Sequence, residues 1–158
     1  MRYVVANAGA KKLSAAVMAQ CEREKARGLE QLKTFEEFRR KTERSREELM
    51  TLLYKLKRLG KRVVGYGATS KSTTVINYCG ITHDLVEFIS DTTPIKQGKF
   101  SPGAHIPVRP YTEFTSHYPD YALLFAWNHA REIISKERGF QAAGGKWIAY
   151  VPKVQVLA

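Results

Sequence analysis

The stretch Val63-Val-Gly65-Tyr-Gly67-Ala-Thr-Ser70-Lys71-Ser72 constrains this chain more than any other. An apolar strand-forming pair meets two glycines and then a helix-forming run, so the backbone must turn from strand to helix within a few residues. Glycines in such a turn let the backbone approach a pyrophosphate, and the helix behind it offers unpaired N–H groups and the positive end of its dipole. Two phosphate-binding templates compete for the run. Against GxGxxG, Ser70 stands where the third glycine belongs. Against GxxxxGK[ST], Ser70 stands where the second belongs, with Lys71 and Ser72 in place. Neither match is complete, and a glycine turn kept only for strand–helix packing is the alternative.

Residues beyond the turn discriminate between the templates. A dinucleotide-binding unit places an acid about 20 residues on, at the end of its second strand. Asp91, closing Phe88-Ile-Ser-Asp91, sits 24 positions after Gly67. A nucleotide hydrolase needs a further acid for magnesium and a residue to position water, and the sequence shows no candidate for either. Strand patterns at 62–65, 85–90, 121–126 and 146–150 alternate with helical ones at 70–78 and 129–136. This alternation predicts an α/β, Rossmann-like fold: an open, mostly parallel twisted sheet with flanking helices.

Three segments then reach the carboxyl edge of the sheet, where open α/β sheets bind ligands. The first is the glycine turn. The second is residues 91–110, a long stretch rich in Pro, Gly and Thr, of the kind that is usually functional. There Lys96, Lys99 and His105 meet phosphate or sugar oxygens, or else the lysines are simply solvated and the histidine makes a structural hydrogen bond. The third is Phe125-Ala-Trp127-Asn128-His129, with Asn128 suited to an N-cap and Trp127 either a stacking platform or a core residue. Convergence of the three predicts a pocket. Its candidate substrate-binding residues are Gly65, Gly67, Ala68, Thr69, Ser70, Lys71, Asp91, Lys96, His105, Asn128 and His129.

The N-terminal part reads differently. Residues 2–6 have the texture of a lone short strand. A helix is expected from Leu13 to Arg27, with Gly28 as its stop, and a second from Thr34 to Gly60. Thr34 and Glu37 match a capping box, and Phe38, Leu49, Leu52, Leu56 and Leu59 form the apolar stripe. The expected division is 1–12 as a junction with a preceding domain, 13–60 as a helical pair packing on the sheet, and 61–158 as the Rossmann-like ligand-binding domain. Residues 1–62 hold 17 Lys and Arg against 8 acids, and the remainder 9 against 7, so most of the net charge of +11 lies on these helices. Its interleaved signs suit a solvated helix face, and no basic–aromatic array accompanies it, so a nucleic-acid partner is not expected. With no membrane-length apolar run and no secretory leader pattern, the expectation is a cytoplasmic protein without a membrane partner. Cys21 and Cys79 form no metal-ligand spacing and are expected to be buried free thiols, leaving no metal site.

The strings Gly65 to Thr74, Asn77-Tyr-Cys-Gly80, Asp91 to Gly103, His105-Ile-Pro and Phe125-Ala-Trp-Asn-His129 resemble the C-terminal domain of S-adenosylmethionine-dependent C-methyltransferases of deoxysugar biosynthesis. The resemblance runs over nearly the whole chain. It implies a nucleoside-diphosphate 4-keto-6-deoxysugar as substrate, usually thymidine-linked, methylated at carbon 3 through an enolate. It also implies that the methyl donor and the catalytic Tyr and Glu-His residues belong to a separate central domain, and a zinc-binding region to a further one. This chain has no second glycine-rich motif, no cysteine cluster and no Glu-His pair. The expectation is therefore a substrate-binding domain that begins inside the join, with no cofactor or catalytic residue of its own, and whose partner is a domain or subunit that binds S-adenosylmethionine. Two other readings stand beside it. One is a small NAD(P)-binding oxidoreductase domain; the other is an interaction module whose basic helices dock on a separate methyltransferase subunit.

Overall fold

Val63 and Val64 cannot leave both faces in water, and β1 (Val63–Tyr66) lies at the centre of the sheet in a computed structural model that describes residues 4–157. Around it run β2 (Ile89–Asp91), β3 (Val108–Pro110), β4 (Tyr121–Leu124), β5 (Lys146–Ala149) and β6 (Gln155–Leu157), in the order β3-β2-β1-β4-β5-β6. All neighbours are parallel except β5 and β6. The order reverses between β1 and β4, the switch point at which doubly wound sheets leave a crevice beyond their strand ends. The fold is thus mixed α/β, mostly parallel, as the alternation predicts.

Strand pleating divides the core into two clusters. Val63, Ile89, Leu123, Phe125 and Ile148 face α2 (Leu32–Arg58) and α3 (Ser70–Cys79), which contribute Leu49, Leu53, Leu56 and Ile76. Val64, Ala122, Leu124 and Trp147 face the other way. They meet Phe114 of α4 (Tyr111–Ser116), partly buried Ile133 and Ile134 of α5 (Ala130–Lys136) and Phe140 of α6 (Arg138–Ala142). Each fully buried side chain of this size stabilises the fold by roughly 1.5–3 kcal/mol.

The chain separates into two compact units, one ending at Thr42 and the other beginning at Glu43. In the first, α1 (Ala15–Ala26) buries none of its residues, and Leu13, Val17, Met18 and Cys21 are exposed. Only Cys79 of the two thiols is buried, a correction to the sequence reading. The expected strand at 2–6 is also corrected: Val4 to Ala6 are irregular, while Arg2 and Tyr3 lie outside the described residues. The capping box at Thr34 does not form. The chain turns at Gly28, Gln31 N donates to Gly28 O at 2.9 Å, and α2 is already under way at Leu32, so Thr34 falls inside it. On the same helix Leu53 is buried where Phe38 is 69% exposed, and Leu59, just past the helix end, is 61% exposed.

Other differences lie at strand ends. Leu85 and Val86 are buried in a turn, both amides donating to Thr82 O, so β2 keeps only residues 89 and 90 of the expected 85–90 and extends to Asp91. No helix of the described residues is long and apolar enough to cross a membrane.

Candidate functional site

β1 delivers Tyr66 and Gly67 to the carboxyl edge. Gly67 has φ +90°, the left-handed region that favours glycine, and its N–H donates to Ser90 O at 2.8 Å. The next amide, Ala68, donates to Asp91 Oδ2 at 2.8 Å. Asp91 Oδ1 accepts from Thr93 N at 2.8 Å, and Lys96 Nζ stands 3.2 Å from Oδ2 and 2.7 Å from Ala68 O. Burial alone would raise the Asp91 pKa, but the hydrogen bonds of Thr93, Lys96 and Ala68 outweigh it and hold the carboxyl below its ordinary range. Asp91 therefore acts first as the brace that fixes the shape of the glycine turn.

The N-terminus of α3 is nearly closed by its own side chains. Thr69 is the N-cap: Ser72 N donates to Thr69 Oγ1 at 3.2 Å, and Thr69 N donates to Ser72 Oγ at 3.0 Å. This is a capping box built on serine, which the sequence reading did not anticipate. Gly67, Ala68, Thr69 and Ser72 have thus placed their amide protons. Ser70 and Lys71 keep the two first-turn amides that a helix leaves open, beside the Lys71 side chain.

Clefts lie on both sides of this turn. One, of about 410 Å³, opens between α3 and the segment after β2; Ile89, Ile95, Phe100 and Val108 give it apolar walls, and Lys96 and Lys99 border it. The segment is pinned to α3 by Asn77 Nδ2, which donates to Pro102 O at 3.0 Å. Gly103 passes so close that a Cβ there would collide with Asn77 Oδ1. The other cleft, of about 370 Å³, lies at the switch point between Gly67, Ser90–Thr93 and α5, with His129, Glu132 and Lys136 along it. Both volumes fall within the ~300–1,000 Å³ typical of small-molecule sites.

The structure brings Gly67, Ala68, Thr69, Ser70, Lys71, Asp91 and Lys96 into one neighbourhood, with His129 on the second cleft. Gly65 sits inside β1, fully covered, with Phe125 packed against it. His105 and Asn128 border neither cleft. His105 takes φ +53° in a tight turn closed by Ser101 N donating to Ile106 O at 2.8 Å, and its imidazole is exposed. Asn128 is exposed in a 3₁₀ turn, Trp127–His129, and caps nothing; the N-cap position of α5 falls to His129. Trp127, 36% exposed, is not a core residue.

Two polar features escaped the sequence reading. Glu137, 2% exposed, accepts from Tyr66 Oη at 2.7 Å and Tyr111 Oη at 2.8 Å, and no basic side chain pairs with it among the described residues. Burial and the Glu137 carboxylate raise both phenol pKa values, that of Tyr111 to about 12. The other is Ser90, whose hydroxyl is buried without a partner. Strand alternation after Ile89 was the available signal for Ser90; nothing local marked Glu137, whose partners are 71 and 26 residues away.

A family model described as the C-methyltransferase C-terminal domain matches residues 1–152. The chain is also 38% identical over 143 residues to the C-methyltransferase NovU of Streptomyces niveus, covering 90% of this chain. It spans 34% of that relative's length.

Proposed function

The chain belongs to the C-methyltransferase C-terminal domain family, and from that premise we propose that it holds a nucleoside-diphosphate deoxysugar for methylation by groups outside this sequence. The observation that carries the reading is the open pair of amides at Ser70 and Lys71, on a turn whose neighbouring amides at Gly67, Ala68, Thr69 and Ser72 are engaged. Two preoriented N–H groups, a lysine and the positive end of α3 suit a diphosphate. They do not suit S-adenosylmethionine, a sulfonium cation without phosphate, so no methyl-transfer step is assigned to these residues. The Asp91 brace also separates this turn from an NAD site, where the acid after the second strand must be free for ribose hydroxyls.

The test is a titration of the full chain with thymidine diphosphate–glucose, following backbone amide resonances. Ser70 and Lys71 should shift first and furthest, and Lys71→Ala should weaken binding roughly tenfold, the worth of a charge-assisted hydrogen bond. Unmoved Ser70 and Lys71 amides at saturation would reject the assignment. Calorimetry with S-adenosylmethionine should give no heat of binding; a micromolar affinity would contradict the separation of donor from substrate.

A further inference from the structure

Among the described residues, Ser90 carries the one buried side-chain polar atom on the second cleft without a hydrogen-bond partner. It is 1% exposed, and its Oγ has no hydrogen-bond partner. Its register explains where the hydroxyl sits. Ser90 pairs with Tyr66 across parallel strands β2 and β1, so the two side chains share a face of the sheet, opposite to Ile89, which packs toward α3. Both Tyr66 and Ser90 line the second cleft. Tyr66 gives its hydroxyl proton to Glu137, and the Ser90 carbonyl is occupied by Gly67 N–H. The Ser90 hydroxyl remains both buried and uncommitted. A buried hydroxyl left in that state is destabilising, and a ligand hydrogen bond would offset that.

The rest of the cleft indicates the kind of ligand. Ala126, Gly67 and Ile133 offer apolar surface, and Thr92, Thr93 and His129 offer hydroxyl and imidazole groups. A sugar ring has the matching make-up, apolar C–H faces with hydroxyls at its edge. The geometry points to Ser90 as a specificity-determining contact for a sugar hydroxyl of the ligand, in the cleft on the α5 side of the glycine turn. This rests on the nucleotide-sugar reading of the domain. The hydroxyl belongs to the pentose of the nucleoside or to the hexose that accepts the methyl group, and the test separates these sources.

Ser90→Ala removes only the unpartnered oxygen. The variant and the parent chain are titrated with inorganic pyrophosphate, thymidine diphosphate and thymidine diphosphate–glucose. The expected result is a five- to tenfold loss of affinity with pyrophosphate binding unchanged and thermal stability equal or higher. Loss for both nucleotides places the pentose at Ser90; loss for the nucleotide-sugar alone places the hexose there. Unchanged affinity for all three ligands overturns the proposal, as does an equal loss for pyrophosphate, which would mean a collapsed turn. A lowered melting temperature also overturns it, because the hydroxyl would then be serving the fold. If the parent chain binds no thymidine diphosphate, the nucleotide-sugar reading itself fails and the Ser90 contact falls with it; that outcome is distinct from a binding parent with an indifferent variant.

Discussion

Two carboxylates are buried among the described residues, and they are held in opposite ways. Asp91, 8% exposed, is braced by two backbone amides and Lys96, all within 23 residues of it in sequence. Glu137, 2% exposed, has two phenols drawn from β1 and α4 and no cation. The first is a local device that shapes a turn; the second is a long-range strut tying the end of β1 to α4 and the α5–α6 junction. The difference predicts that damage to Asp91 should reach ligand binding and stability together, whereas damage to Glu137 should register first as lost stability.

The largest expected effect is that of Asp91→Ala. It leaves the Ala68 and Thr93 amides without acceptors, a loss of about 3–4 kcal/mol at roughly 1–3 kcal/mol per unsatisfied donor, while Lys96, 40% exposed, loses its anion at little further cost because water solvates it. Urea unfolding should show the loss, and thymidine diphosphate binding should fall with it. Acid should act on the same brace. Because the folded Asp91 pKa is depressed, its contribution is complete above the unfolded value of about 3.9 and is lost as pH falls through the folded pKa. The stability difference between the parent and Asp91→Asn should therefore shrink in acid; a constant difference from pH 7 to pH 2 would deny Asp91 its bracing role.

At the other carboxylate, Glu137→Ala orphans two hydroxyls, an expected loss of about 3 kcal/mol at roughly 1–3 kcal/mol per unsatisfied donor. Thymidine diphosphate should still bind at temperatures where the variant is folded. Tyr111→Phe is milder, about 2 kcal/mol for one bond to a charged acceptor, and it carries the opposite pH signature. The folded chain keeps the Tyr111 proton to about pH 12, while the unfolded chain releases it near 10. The parent's stability should thus decline as pH rises from about 10 to 12 by an amount the phenylalanine variant lacks. Identical alkaline slopes in urea unfolding would break the contrast between the two carboxylates.

This contrast also marks what the sequence could disclose. The position of Asp91 was legible because strand–turn–helix–strand spacing places an acid at the second strand end; its bond to the Ala68 amide was not, since only the fold brings that amide near. Glu137 reads in Lys136-Glu-Arg-Gly139 as an ordinary solvated helix end. Central β1, β4 and β5 were legible from apolar runs buried on both faces. β3 was not, because three residues ending in Pro110 lack the length and ladder donors that mark a strand. The same limit hid β6, three residues on the antiparallel edge. Polar hydroxyls misled in both directions: Thr34 has the spacing of a cap and makes none, while Thr69 and Ser72 make one without the usual Glu or Gln.

Thr69 supplies the smallest and most discriminating expectation. Removing an N-cap hydroxyl costs about 1 kcal/mol, so Thr69→Ala should lower the unfolding midpoint modestly by freeing the Ser72 amide. The Asp91 brace and the Ser70 and Lys71 amides do not depend on that hydroxyl, and the newly open Ser72 N–H adds a donor at the same helix end. Binding of thymidine diphosphate should therefore stay within about twofold of the parent. If Thr69→Ala abolished binding as fully as Asp91→Ala, the cap and not the carboxylate would be setting the shape of the turn, and the division of labour drawn between the two sides of the sheet edge would have to move to the helix itself.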